Sequence, residues 1–176
     1  MIFLFTGNGK GKTSSAIGQA MRALGQGKKV LILQFIKSKK FVSGEDKIIN
    51  KLEKLGEKIK LIKGGIGFVG IMGDKFPLKE HKKAAKKTLD IAKESILEKK
   101  FDLILLDEIN VALSLKLIKI KNVIELLKKA SSEIDIILTG RNAPKQLIKF
   151  ADLVTEFKEI KHYFKKGVLA QKGREF

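Results

Sequence analysis

Hydrophobic residues in this chain fall alternately into short continuous runs and helical stripes. Ile2 to Phe5, Val30 to Phe35, Ile59 to Ile62, Phe101 to Leu106, Ile134 to Leu138 and Leu153 to Phe157 are apolar runs of strand length. Between them, Lys12 to Gly25 places Ala16, Ile17, Ala20, Met21 and Leu24 at three- and four-residue spacing, which predicts a helix that Gly25 and Gly27 stop. Ser43-Gly44-Glu45-Asp46 has capping-box spacing ahead of Ile48, Ile49, Leu52 and Leu55, a short helix ended by Gly56. Pro77 suits the first position of a long amphipathic helix through Leu78, Ala85, Leu89, Ala92 and Ile96, and Val123 to Ala130 reads as a further helix. This alternation predicts an α/β fold: a mostly parallel six-stranded sheet flanked by helices, with right-handed crossovers and the second strand as a parallel neighbour of the first. No linker, repeat or low-complexity segment interrupts it, so residues 1–176 read as one domain.

Composition narrows the function classes. With no cysteine there is no disulfide framework and no thiolate chemistry. The opening Met1 to Phe5 is too short for a signal peptide, and no later apolar run reaches membrane-spanning length, so a cytoplasmic protein is expected, with no membrane partner. The net charge of +18 would ordinarily suggest nucleic acid. Arg22, Arg141 and Arg174 are the only arginines, however, and the lysines are spread along the chain, which suits a solvated surface better than a base-reading face.

The first candidate chemistry lies in Thr6 to Thr13, TGNGKGKT, between a buried strand and a helix N-terminus. Glycines allow close backbone approach, the N–H groups point into the turn, and the helix dipole adds positive charge, so this is a phosphate site. The P-loop pattern would have glycine where Thr6 stands. Lys12 is placed for the β- and γ-phosphates, and Thr13 for a Mg²⁺ or Mn²⁺ ion. The apolar run that ends in Asp107-Glu108 presents Asp107 as a metal-side carboxylate; the alternative is a simple cap on the helix that follows. Arg141, in Thr139 to Pro144 after the fifth strand, faces the same crevice and is a candidate for stabilising phosphate charge, or else a surface salt-bridging residue. Gly64 to Phe76 is expected to be a loop rich in glycine and carrying Phe68, Val69, Ile71 and Met72. It suits a cover for a flat hydrophobic ligand, or a mobile connection anchored to the core by those side chains. His81 is expected at the surface.

Several strings in order carry a more specific likeness: TGNGKGKT, QFIKSKK from Gln34, GIGF from Gly65, LLDEIN from Leu105, LTGRNAP from Leu138, ADLVTE from Ala151 and KHYFKKGVLAQKG from Lys161. Together they resemble the P-loop-type ATP:corrinoid adenosyltransferases. That resemblance implies a RecA-like fold, a homodimer, and transfer of the 5′-deoxyadenosyl group of ATP to the Co(I) of a reduced corrinoid with release of triphosphate. It implies that Gly7, Asn8, Gly9, Lys10, Gly11, Lys12, Thr13 and Ser14 hold the triphosphate, with Lys12 and the metal ion stabilising its growing charge and Arg141 lining the site. Thr13, Asp107 and Glu108 would fix the metal, Arg22 would contact the nucleoside end, and Asn110 would line the site. Phe68 would face the corrin, and an electron donor such as a flavoprotein would supply Co(I). Many relatives have an aromatic residue where Gly70 stands here, and often an N-terminal extension where this sequence opens on its first strand. The competing reading from the same residues is a RecA-like ATPase, or an ATP-dependent nucleic-acid-binding protein using the lysine surface; a nucleoside kinase is a third.

Overall fold

The computed structural model describes residues 1–71 and 73–175. Six strands build one sheet: β1 (Ile2–Thr6), β2 (Val30–Ser38), β3 (Ile59–Gly65), β4 (Leu103–Asp107), β5 (Asp135–Thr139) and β6 (Leu153–Glu156). Six helices connect or follow them: α1 (Lys12–Gly25), α2 (Gly44–Lys54), α3 (Leu78–Leu97), α4 (Ile109–Ser114), α5 (Ile120–Lys128) and α6 (Lys145–Phe150). A 3₁₀ turn covers Tyr163–Lys166. The spatial order is β3-β2-β4-β5-β1-β6, and every pairing is parallel.

That order corrects one expectation. The second strand is not beside the first; β4 and β5 lie between them. The most apolar strands take the centre because a central parallel strand is covered by helices on both faces. Leu103, Ile104, Leu105 and Leu106 are all buried, as are Ile136, Ile137 and Leu138. One face of the sheet packs α1 through Ala16, Ala20 and Ala23, whose small side chains let the helix lie close. The other face packs α3, α4 and α5 through residues such as Leu89, Ile96, Ile109 and Leu126. Edge strand β6 is exposed along its whole length.

Several boundaries move. Ile36 to Ser38 continue β2 across an irregularity in its pairing with β3, and Gly64 and Gly65 belong to β3 instead of opening the loop. Gly64 is there for space: a Cβ on it would fall on Thr88 Oγ1, so α3 packs directly on the strand backbone. Pro77 caps α3, one residue before its first turn, and α5 begins at Ile120, ahead of the expected Val123. The Ser43 cap is as expected, Asp46 Oδ2 accepting from the Ser43 N–H at 2.6 Å and its hydroxyl at 2.9 Å.

His81 is not at the surface. It is 3% exposed in the first turn of α3, with Nε2 2.9 Å from Asp74 Oδ2. Asp74 also accepts from the N–H groups of Gly70 at 2.8 Å and Phe76 at 3.0 Å, so one carboxylate folds the end of the glycine-rich loop and ties it to α3. Those bonds hold the carboxyl below its ordinary pKa. The helix signal gave His81 a polar neighbourhood, whereas the loop that packs over it could not be read from periodicity.

Candidate active site

In a parallel sheet the ligand crevice lies beyond the carboxyl ends of the strands. Here that edge gathers the turns after β1, β2, β4 and β5. Gly7 leaves β1 with φ +97°, and a Cβ on it would run into the backbone of Phe157. The Gly9 N–H donates to Phe157 O at 2.7 Å, so the segment after β6 backs the loop and fixes its curvature. Gly11 caps α1 at φ +104° with no side-chain hydrogen bond, which leaves the first N–H groups of the helix directed at the loop.

Thr6, the departure from the P-loop pattern, is buried, and its Oγ1 accepts from the Ala143 N–H at 3.3 Å. A glycine would leave that donor unsupported. The hydroxyl thereby joins the base of the phosphate loop to the turn that carries Arg141.

Lys12 turns back into its own loop, Nζ donating to Gly7 O at 2.8 Å and Gly9 O at 2.6 Å. Burial lowers its pKa; Glu108 acts in the opposite sense, and Arg141 adds to the lowering. Exposed Arg141 is therefore close enough for its charge to be felt at both Lys12 and Glu108.

Asp107 is wholly buried at the end of β4 and is the hub of the site. Its Oδ1 accepts from the Thr13 hydroxyl at 2.8 Å and the Thr139 hydroxyl at 2.7 Å. Its Oδ2 accepts from Gln34 Nε2 at 3.1 Å and lies 3.7 Å from Lys37 Nζ. β5 separates β4 from β1, yet Thr13 still reaches Asp107 from the first turn of α1. Glu108 follows in a left-handed conformation at φ 60°, its N–H donating to Thr139 Oγ1 at 2.9 Å. Its carboxyl is buried beside a second carboxylate, and burial followed by the Asp107 charge raises its pKa to about 7. Asn110 donates to Gly140 O at 3.1 Å.

Three buried oxygens in this cluster, Gln34 Oε1, Glu108 Oε2 and Asn110 Oδ1, accept no hydrogen bond from any described residue. Buried acceptors of this kind call for donors or a cation. Among the described residues no three acidic or histidine side chains converge into a protein-only cage. One hydroxyl with one or two carboxylates beside a phosphate loop is instead the donor set of a magnesium ion shared with substrate phosphates. Thr13, Asp107 and Glu108 thus fit such an ion.

The remaining expected residues divide. Asn8, Lys10 and Ser14 lie on the loop and the first turn, exposed. Lys10 reaches the C-terminal segment, pairing with Glu175 at 2.8 Å and lying 5.6 Å from the Tyr163 ring centroid. Arg22 is in the last turn of α1 and contacts Gln19 at 3.4 Å. At 1.5 Å per residue it stands about 15 Å along the helix from Lys12, outside the Asp107 cluster. Phe68 is 50% exposed on the loop after β3, with Ile71 59% exposed and Val69 packed on the core. The N–H of Gly67 donates to Ile36 O at 3.1 Å, so this loop starts against the end of β2, one residue from Lys37. Met72 lies outside the described residues.

The sequence assigns no role of their own to Gln34, Lys37, Thr139 or Phe157. Gln34 carries a signal of its own, a lone amide in the apolar run VLILQF. Phe157 carries none, because its part is played by backbone.

Comparison with known proteins agrees with this geometry. The family model described as ATP:corrinoid adenosyltransferase BtuR/CobO/CobP matches residues 1–176. A corrinoid adenosyltransferase of Sinorhizobium is 37% identical over all of this chain and 80% of its own length. Those of Pseudomonas aeruginosa and Escherichia coli are 35% and 33% identical, again over the whole chain and over 83% and 85% of their lengths. Among solved structures, a KaiC-like protein of Pyrococcus horikoshii superposes with a TM-score of 0.53 at 16% identity, covering 91% of this chain and 73% of its own, a likeness of fold. On the family match along its full length, with the phosphate loop and Asp107 joined in one cluster, this chain belongs to the ATP:corrinoid adenosyltransferases.

Proposed function

We propose that the chain transfers the 5′-deoxyadenosyl group of ATP to the Co(I) centre of a reduced corrinoid and releases triphosphate. The observation that carries this reading is the junction at the end of β2. There the Ile36 carbonyl holds the apolar glycine-rich loop, while the next side chain reaches Asp107 on the phosphate side. Two unlike surfaces meet at one edge: a cradle for oxyanions, and a partly apolar cover bearing Phe68 and Ile71.

In this reading the Co(I) electron pair forms the bond to C5′, and the C5′–O5′ bond breaks with its pair left on the triphosphate. The protein supplies no nucleophile; it positions two substrates and stabilises the leaving group. Gly7 to Thr13 hold the triphosphate through backbone N–H groups, Lys12 exchanges the Gly7 and Gly9 carbonyls for phosphate oxygens, and Arg141 adds charge from the facing turn. A divalent cation held by Thr13, Asp107 and Glu108 would neutralise the charge that develops on the phosphates. Phe68 covers the corrin face. Lys10 serves the loop through its tie to the C-terminal segment, and Arg22 would meet the nucleoside end only if the nucleotide extends along α1. Homodimer formation, a flavoprotein electron donor and a cytoplasmic setting belong to the same proposal; no described helix is long and apolar enough to cross a membrane.

The test is product analysis with chemically reduced cobalamin and ATP. Triphosphate appearing in step with a Co–C bond is expected, because attack is at carbon. ADP as the only nucleotide product, or no Co–C bond, refutes the reading.

A further inference from the structure

Lys37 is the unusual charge of this site. It is not part of the phosphate loop, yet its Nζ lies 3.7 Å from Asp107 Oδ2, and Glu45 in the first turn of α2 holds it at 3.0 Å. Its side chain is about two-thirds buried. Asp107 and Glu45 both lie within ion-pairing distance, so their charges offset the cost of burying the ammonium. The neighbouring pair Asp107 and Glu108 places two carboxyl groups together in a buried region, an arrangement that needs a cation nearby. Oδ1 of Asp107 is occupied by two hydroxyls on the phosphate-loop side, whereas Oδ2 faces Gln34 and Lys37 on the opposite side.

We infer that Lys37, tethered by Glu45, is the resident counter-ion of the metal-side carboxylates, and competes electrostatically with a divalent cation for Asp107. This rests on reading Asp107 with Thr13 as the metal side of the site. Lys37 is a positioning residue in that scheme: it holds Asp107 Oδ2 on the β2 side, so that Oδ1 stays turned to Thr13, and it sets how tightly a cation binds before ATP arrives. The Glu45 tether, the shorter of the two pairs at 3.0 Å, holds the ammonium back at 3.7 Å from Asp107 Oδ2.

The sign of one measurement tests it. Free Mn²⁺ is titrated against the full chain without nucleotide and read by electron paramagnetic resonance. Removing one screened positive charge a few ångströms from a divalent site tightens binding about fivefold to tenfold, so Lys37→Met is expected to bind Mn²⁺ that much more strongly, with Lys37→Arg close to wild type. Glu45→Gln frees the ammonium to approach Asp107, and is expected to weaken Mn²⁺ binding about twofold to threefold. It supplies an independent reading should Lys37→Met fold poorly. Unchanged or weaker binding in Lys37→Met, or tighter binding in Glu45→Gln, overturns the inference. Asp107→Asn separates the two levels: if it binds Mn²⁺ with ATP as wild type does, the metal-side reading itself falls.

Discussion

Glu108 shows how much of this site is decided by one side chain. Its carboxyl, ordinarily titrating near 4.5, is carried to about 7 by burial and by Asp107. The folded, metal-free protein therefore holds this proton more tightly than the unfolded chain does. Its contribution to stability is greatest below the unfolded value and is lost as pH rises toward 7. Thermal unfolding in the presence of a chelator is expected to show Tm falling across that window, with Glu108→Gln flattening the fall; the same slope in the variant would contradict the assignment. A neighbouring residue shows what sequence could and could not supply. The phosphate loop and Asp107 were legible because strand, glycines and acid are local signals. The reason for Thr6 was not, since its partner Ala143 is 137 residues away. His81 fails for a different reason: its partner Asp74 is only seven residues away, but on a loop with no periodicity of its own.

At the level of elements, the glycine-rich segment divides into two parts with different physics. Gly64 and Gly65 are strand residues packed against Thr88 and the Ile36 backbone, where the missing Cβ makes room for neighbours. Gly64→Ala is expected to cost about 1–3 kcal/mol by overpacking. Thr88→Ala in the same chain should return part of that loss in urea unfolding; a neutral Gly64→Ala would show that α3 shifts freely. Beyond Gly65, Gly67 and Gly70 have positive φ in a loop clasped by Asp74, with Phe68 left half-exposed. Phe68→Ala is expected to raise the corrinoid KM or lower kcat about tenfold while leaving ATP binding nearly unchanged. Equal loss of both would remove Phe68 from the corrin face. Helix and strand periods gave the elements, but strand order was not contained in them: the exchange of β2 for β5 beside β1 depends on which apolar surfaces the crossovers cover, a long-range choice.

For the whole molecule, the charge of +18 acts as a field instead of a site. The described ion pairs are mostly exposed and individually weak, and many lysines stand without an acidic neighbour's help against mutual repulsion. Added NaCl up to about 0.5 M is therefore expected to raise Tm, as screening shortens to a few ångströms. A falling Tm would mean that the exposed ion pairs contribute more than the net repulsion takes away, since a buried pair such as Asp46 with Lys63 is little screened. The same surface would draw any polyanion toward the crevice, where the hydrogen bonds that Lys12 makes within its own loop become significant. There Lys12 already has two carbonyl partners, so an incoming anion must supply more than those two bonds return. A lone inorganic phosphate offers little beyond the exchange, whereas a chain of three phosphates also spans the loop N–H groups. The self-occupied loop is thus a threshold against small anions, a form of selectivity set before any substrate has arrived.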